Sequence, residues 1–426
     1  MRFLTSLLLS AAAASAQNQL RGFNYGAQFL NDAPKRQVDF EYEFNAAKQL
    51  PGTNGQFTSA RLYTMVQWQT TNTVIEAIQA AINTKTTLLL GLWASAGAAT
   101  FDNEIVALKA AIQQFGSAFT DLVVGISVGS EDLYRISPTG IENKSGPGAN
   151  PNELVRYIQL TRDAIRNTGL AGKPIGHVDT WTAYVNASNN AVIEALDFVG
   201  VDAYPYFQTT MENGIENGNK TFYDAFDATV AAARGKPVWV TETGWPVSGP
   251  QQNKAVASAD NARIYWEDVS CSLMSKGINL YYYTLQDAQW GTPSPSFGVK
   301  PAGDLMQVQP LFDLSCPANA PTLFDFNVSI EAVSKTCNLV FYLPVDGHEW
   351  RAPYRILEPR VIIVSQLNNP STYASNFRNT GMLAINGVPC QAGENVGYQL
   401  DSLRGLDWEF FQTTAPALGL FMTISG

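Results

Sequence analysis

The sequence predicts a (β/α)8 TIM-type barrel over residues 17–316 and, after it, a small β-rich module over residues 317–426. Three observations lead there. Apolar runs of strand length alternate with segments of helical spacing, and eight such repeats precede residue 316. That alternation marks a parallel sheet, and eight repeats close it into a barrel. Several runs stop abruptly at a polar or acidic residue, as strands do where they open onto a ligand-binding face. An open doubly wound sheet would need a Gly-rich phosphate loop after an early strand, and Gly91 to Gly97 holds no G-x-G-x-x-G.

Leu20–Gly26 is the first strand, ending near Asn24 and Tyr25, and residues 35–49 follow as an amphipathic helix. Thr58–Thr64 is the second strand, and Ile75, Ile78 and Ile82 give the next helix its inner face. Thr87–Trp93 is a purely apolar third strand; the helix behind it carries Ile105, Leu108, Ile112 and Phe115, with Asp102 as its expected cap. Asp121–Ser130 is the fourth strand, closed by Glu131. Asn150, Pro151 and Glu153 announce a helix by a capping box with Pro at the first helical position. Lys173–Asp179 is the fifth strand, a short helix spans 189–196, and Asp197–Ala203 is the sixth strand, running into Tyr204-Pro-Tyr-Phe207. Tyr223, Phe226, Val230 and Ala233 read as the inner face of a helix that stops at Gly235. Residues 237–242 form the seventh strand, 254–276 a long helix, and Ile278–Leu285 the eighth strand, followed by Gln286 and Asp287. After Leu314 helical periodicity stops, and strand-like runs appear at Leu339–Leu343, Arg360–Val364, Gly381–Ile385 and Trp408–Gln412.

Residues 1–16 have the form of a secretory leader: Arg2, an apolar stretch from Phe3 to Leu9, and the small residues Ala14-Ser15-Ala16. No later stretch is apolar for long enough to predict a transmembrane helix. Sequons at Asn143, Asn186, Asn219 and Asn327 predict glycosylated surface loops in an exported chain. The four cysteines are expected to pair in such a compartment. Neighbour pairing, Cys271–Cys316 and Cys337–Cys390, keeps each bond within one predicted domain, although three connectivities exist. The net charge of −10 argues against nucleic acid and against an anionic substrate, and fits a neutral one. With only two histidines, a His-based metal site is not expected, and no cofactor is implied. A monomer, secreted or associated with a cell wall, is the expected form.

Two strand-end carboxylates carry the chemistry. Glu131 ends the fourth run and Glu242 the seventh. In a barrel all strand C-termini meet at one mouth, so both project into one cleft. Paired carboxylates across a cleft are what glycosidic bond hydrolysis requires, one as acid and one as nucleophile or base. The segments Arg61-Leu-Tyr63, Val128-Gly-Ser-Glu131, Asp202-Ala-Tyr-Pro-Tyr-Phe207 and Thr241-Glu-Thr-Gly-Trp-Pro246 occur in order. Together, over about residues 18–316, they resemble glycoside hydrolase family 17, the β-1,3-glucanases, and most closely its fungal secreted or wall-associated branch. The resemblance implies a (β/α)8 barrel, a β-1,3-glucan substrate and retaining cleavage of internal bonds. It implies Glu242 as nucleophile, Glu131 as acid/base and Tyr204 as a contact to the nucleophile. Relatives commonly place Asn before the acid/base, touching the sugar's 2-hydroxyl; Ser130 stands there in this chain.

Tyr25, Tyr63, Asp287, Trp245 and Trp290 are further candidates for sugar contact, the two tryptophans as stacking platforms beside the cleft. His177 reads as a satisfied buried residue near the fifth strand. Gly125-Ile-Ser127-Val-Gly129 fits the G-x-S-x-G pattern of serine hydrolases, but that motif needs a sharp turn into a helix, and Ser127 lies inside an apolar strand. A β-1,3-glucanosyltransferase would use the same residues, and a non-catalytic glucan-binding wall protein would have no need of both carboxylates.

Overall fold

The computed structural model describes residues 19–291, 293–302 and 308–316 in full, and beyond them the backbone of strands between Thr322 and Ser425. Eight parallel strands close a barrel in chain order: β1 (Arg21–Tyr25), β2 (Ser59–Leu62), β3 (Thr87–Leu92), β4 (Val123–Ser130), β5 (Ile175–Thr180), β6 (Phe198–Asp202), β7 (Val238–Glu242) and β8 (Leu280–Tyr282). The seam is made by β8 on β1, with Arg21 opposite Leu280, Gly22 opposite Tyr281 and Phe23 opposite Tyr282. The predicted barrel is present, each strand lying inside its expected run or within a residue of it.

Barrel strands send alternate side chains inward and outward, and the two sets form separate cores. Leu89, Phe198, Trp239 and Tyr281 fill the inside, where the Phe198 and Trp239 rings stack with centroids 4.1 Å apart. The outward set packs against the helices in one large cluster that includes Phe23, Leu88, Val199 and Val240.

The helix Pro151–Ile165 begins as predicted: Asn150 Oδ1 accepts from the Glu153 N–H at 3.1 Å, and Glu153 Oε2 accepts from the Asn150 N–H at 3.1 Å. Three other helices differ from expectation. The helix Ala98–Phe115 starts earlier, with Gly97 at its N-cap in the left-handed region (φ 83°), so Asp102 lies inside it rather than capping it. In the helix Gly218–Ala232 the buried face is Phe222, Ala225, Phe226 and Thr229, while Val230 is exposed; the true face is rotated by about one residue. The long helix expected from 254 begins only at Ala259, capped by Ser258, and runs through a π-helical turn at Trp266–Ser270 before ending at Ser275.

Cys271 and Cys316 are bonded, as expected, with Cα atoms 5.4 Å apart. Closing a loop of 45 residues removes chain entropy worth on the order of 4 kcal/mol in the loop-closure view. Beside it the Trp266 indole N–H donates to the Leu314 carbonyl at 2.9 Å. Cys390, and with it the expected Cys337–Cys390 pairing, lies outside the described residues.

Asn143 and Asn186 are exposed at the edges of short helices. Asn219 is not on a loop: it is half-buried in the helix Gly218–Ala232, and its amide N–H donates to the Asp268 carbonyl at 2.6 Å. Asn327 ends the strand β9. Beyond the barrel, β9 (Thr322–Asn327), β11 (Val361–Gln366), β12 (Thr372–Asn376) and β14 (Asn395–Ser402) form one antiparallel sheet in the order 12-11-14-9. β10 (Thr336–Leu343), β13 (Gly381–Pro389), β15 (Thr413–Thr414) and β16 (Ala417–Ser425) form another in the order 13-10-16-15. The run expected at Trp408–Gln412 lies outside the described residues. No helix among the described residues is long and apolar enough to cross a membrane.

Candidate active site

Glu242 ends β7 and is almost fully buried at the barrel mouth. Three donors address its carboxylate. Arg61 Nη1 lies 2.6 Å and the Tyr63 hydroxyl 2.7 Å from Oε1, and the Tyr204 hydroxyl lies 2.7 Å from Oε2. Charge-assisted bonds of this kind are short and directional, so the carboxylate is held in one orientation beside a compensating positive charge.

Arg61 is the residue sequence reading missed. It was visible only as part of a motif, yet it ties four strands together from β2. Its Nη1 also donates to Asn24 Oδ1 at 2.8 Å, and Nη2 donates to Ser130 Oγ at 3.0 Å. The Asn24 amide in turn donates to the carbonyls of Thr241, Tyr281 and Tyr282. The guanidinium is 1% exposed. Burial opposes its charge, but the Glu242 and Asp202 carboxyls and the Tyr63 phenol more than offset this and hold its pKa above the ordinary value. A signal was available: an unpaired charge is not tolerated inside a fully buried strand, so Arg61 had to have a carboxylate partner.

Glu131 follows β4 and sits in the left-handed region at φ 58°. For a non-Gly residue this costs of order 1–3 kcal/mol and is typical of functional positions. The neighbouring turn explains it. Gly129 (φ 83°) brings the chain so close to Asp132 that an added Cβ would lie 2.1 Å from Asp132 Oδ2. Asp132 also accepts from the Ser130 N–H at 2.8 Å and from Ser95 Oγ at 2.6 Å. The Glu131 N–H donates to the Val178 carbonyl at 2.8 Å. Burial foremost, then the charges of Glu242 and Asp179, push its pKa up to about 8, against the pull of Arg135 and Arg61. These causes favour the protonated form of Glu131, which lies within the field of the Glu242 carboxylate.

Beneath Glu131, His177 is wholly buried, with Nδ1 2.6 Å from the Val128 carbonyl and Nε2 3.0 Å from Asp179 Oδ2. Burial opposes its charge, but the Asp179 hydrogen bond and carboxylate, with Asp132 and the Val128 carbonyl, raise its pKa. Both ring nitrogens face acceptors, so the buried ring is hydrogen-bonded on both sides, satisfied as expected. Asp179 in turn accepts from the backbone N–H groups of Leu133, Tyr134 and Thr180.

The other expected contacts divide. Tyr63 and Tyr204 reach Glu242 directly, and Ser130 reaches Arg61. Tyr25 is buried at the end of β1, packed edge-on against Phe44. Both Asp287 oxygens cap the following loop, accepting from the Phe297 N–H at 3.2 Å and from the Ser296 hydroxyl. Trp245 does not face the cleft. It is completely buried, its indole N–H donates to the Val256 carbonyl at 3.0 Å, and its ring packs against Tyr206 and Tyr265. The chain turns outward after Gly244, which puts the indole into the helix layer. Of these two tryptophans Trp290 is the exposed one, 68% accessible and edge-on to Phe29.

Two carboxyl groups at one mouth of a (β/α)8 barrel, one pushed toward its protonated form and the other bound by three donors, are the arrangement that a glycoside hydrolase requires. Within that class the chain belongs to the BtgE/BtgC glycoside hydrolase domain family, whose model matches residues 22–301. It is 54% identical over 320 residues to the probable glucan endo-1,3-β-glucosidase of Aspergillus fumigatus, covering 75% of this chain and 70% of that one. It is 54% identical over 314 residues to the enzyme of the same name from Aspergillus oryzae, covering 74% and 66%. Among solved structures it is similar to a family 17 β-1,3-glucanosyltransferase from Rhizomucor miehei, with a TM-score of 0.54 and 25% identity, covering 70% of this chain and 98% of that one.

Proposed function

We propose that this protein is an endo-acting glucan 1,3-β-glucosidase that cleaves internal β-1,3 bonds of a neutral glucan with retention at the anomeric carbon. The observation that carries the reading is the asymmetry of the two carboxyls: Glu242 is bound by Arg61, Tyr63 and Tyr204, and burial and like charges push Glu131 toward its protonated form. The relatives at 54% identity support the linkage and the endo mode.

In the first step Glu242 attacks the anomeric carbon. The bond to the leaving oxygen breaks, its electron pair stays on that oxygen, and the oxygen takes the Glu131 proton. Forming the ester consumes the Glu242 charge, one of the causes that hold the Glu131 pKa high, so Glu131 becomes a better base for the second step. Water then attacks the anomeric carbon, Glu131 accepts its proton, and Glu242 departs as a carboxylate. Arg61 remains beside Glu242 throughout and stabilises the charge whenever it returns. The open indole of Trp290 offers a platform at the rim. Export is supported by the leader-like residues 1–16, the exposed sequons Asn143 and Asn186 and the Cys271–Cys316 bond. In this reading residues 17–316 are the catalytic domain and 317–426 a separate module of a secreted or wall-associated monomer.

A 2-deoxy-2-fluoro laminaribiosyl fluoride tests the mechanism. The expected result is a covalent adduct on the peptide holding Glu242, and a first-formed laminarin product of unchanged anomeric configuration. An inverted product, or an adduct elsewhere, would overturn it. The Rhizomucor miehei glucanosyltransferase points to the neighbouring reading, in which a sugar hydroxyl replaces water. Products longer than the starting laminarioligosaccharide would favour transfer.

A further inference from the structure

β4 and β5 fall out of step just before Glu131. Ser127 lies opposite Gly176, but Ser130 lies opposite Val178, so β4 carries one extra residue there. A bulge of this kind re-aims the side chain that follows it, and here that side chain is Glu131. Side chains hold the bulge in place. Nδ1 of His177, the β5 residue between those two partners, lies 2.6 Å from the Val128 carbonyl. Ser127 Oγ donates to the Gly129 carbonyl at 2.9 Å, and Asp132 Oδ2 accepts from the Ser130 N–H at 2.8 Å. The imidazole edge lies against the turn: a Cβ added at Gly129 would stand 3.2 Å from His177 Cε1.

Hydrogen-bond chemistry fixes the state of the ring. A carbonyl cannot donate, so the hydrogen on the Val128 side belongs to Nδ1. Nε2 lies 3.0 Å from Asp179 Oδ2. Asp179 already accepts from the backbone N–H groups of Leu133, Tyr134 and Thr180, the pattern of a carboxylate. Without a hydrogen on Nε2, two lone pairs would face each other between wholly buried side chains. The charged groups that bear on the ring are Asp179 on its own strand and Asp132 from the short helix Asp132–Arg135. Tyr184, at the end of the helix Trp181–Tyr184, packs edge-on to it. Burial works against a charge on the ring and the two carboxyls favour it, with a net rise in pKa.

Asp179 carries the contact to the far side of the turn. Leu133 and Tyr134, whose N–H groups it binds, belong to the helix that starts directly after Glu131. His177 thus grips the chain before Glu131, and its partner Asp179 grips the chain after it. We propose that His177, with a hydrogen on each ring nitrogen, is a positioning residue for the acid/base: paired with Asp179, it clamps the backbone on both sides of Glu131 and sets the direction in which that carboxyl gives and takes its proton. Glu242 is held by a separate set of donors, Arg61, Tyr63 and Tyr204.

The inference rests on Glu131 being the acid/base, and the experiment separates the two. Wild type, His177→Phe, His177→Asn and Glu131→Gln are assayed on laminarin. They are also assayed for the burst of phenol from 2,4-dinitrophenyl β-laminaribioside, whose leaving group needs no acid. Phe removes both ring hydrogen bonds, whereas Asn keeps a donor near the place of Nδ1. His177→Phe is expected to lower kcat on laminarin about 10- to 100-fold, with KM and the burst rate little changed. His177→Asn is expected to lose less, in the same pattern. Equal losses on both substrates, or none, overturn the inference. If Glu131→Gln loses the burst as fully as laminarin hydrolysis, the acid/base reading itself falls. The ring state is read in the wild-type protein carrying 15N-labelled histidine at neutral pH, with His348→Gln assigning the signals of the other histidine. His177 is expected to show a hydrogen on both nitrogens; a bare Nε2 overturns the inference.

Discussion

The ends of β4 and β7 place the same residue type at the same barrel mouth and give it opposite surroundings. At β7 Glu242 keeps strand backbone, just past a register shift against β6, and meets a guanidinium and two phenols within 2.7 Å. At β4 the backbone is forced into the left-handed region, and Glu131 meets two like charges, with Arg135 no closer than 3.9 Å. Protonation state is thus set by neighbours and not by residue type. The positive φ falls on Glu131, the proposed acid/base, and not on Glu242, the proposed nucleophile.

That contrast can be broken at several points. The largest effect is expected from Glu242→Gln, which keeps the shape but removes the attacking oxygen: laminarin hydrolysis should fall by about 10⁴-fold or more, measured as reducing ends released. Glu131→Gln should cost about 10² to 10⁴-fold. Its loss should be far smaller in the first step when the leaving group is an activated phenol, read as the burst of phenol released. The alkaline limb of the pH profile sharpens the comparison. Wild-type kcat/KM should fall as pH rises through about 8, where Glu131 loses its proton, and that limb should vanish in Glu131→Gln. In Glu242→Gln the Glu131 carboxyl, followed by NMR, should titrate lower but still above an ordinary glutamate, because burial is the larger cause and the Glu242 charge the next. The smallest effect is expected from Tyr204→Phe, which removes one of three donors to the carboxylate; a hydrogen bond to a charged group implies about a 10- to 100-fold loss in kcat, with KM little changed.

Most of the barrel was legible because its strands are continuous apolar runs closed by polar residues, a pattern that is local. The two carboxylates were legible for the same reason, as each ends such a run. Trp245 was misread because the sequence around it says only that a large ring follows a strand. Its burial is decided by the Val256 carbonyl and by Tyr206 and Tyr265, which lie on other elements. Arg61 went without a role because its partners Asn24, Ser130 and Glu242 stand 37, 69 and 181 positions away. The helix that begins at Ala259 was predicted five residues too early, since residues 254–258 have helix-compatible composition but give the Val256 carbonyl to Trp245.

Asn24 has a consequence for how the enzyme comes into being. Its amide steadies Arg61 while bonding to Thr241, Tyr281 and Tyr282. On the ribosome Glu242 is synthesised well before two of those three carbonyls. A nascent chain therefore holds both Glu131 and Glu242 for some time before the clamp on Glu242 can form. Synthesis itself works as a timer: chains interrupted before Tyr282 are expected to carry the whole catalytic alphabet and digest nothing.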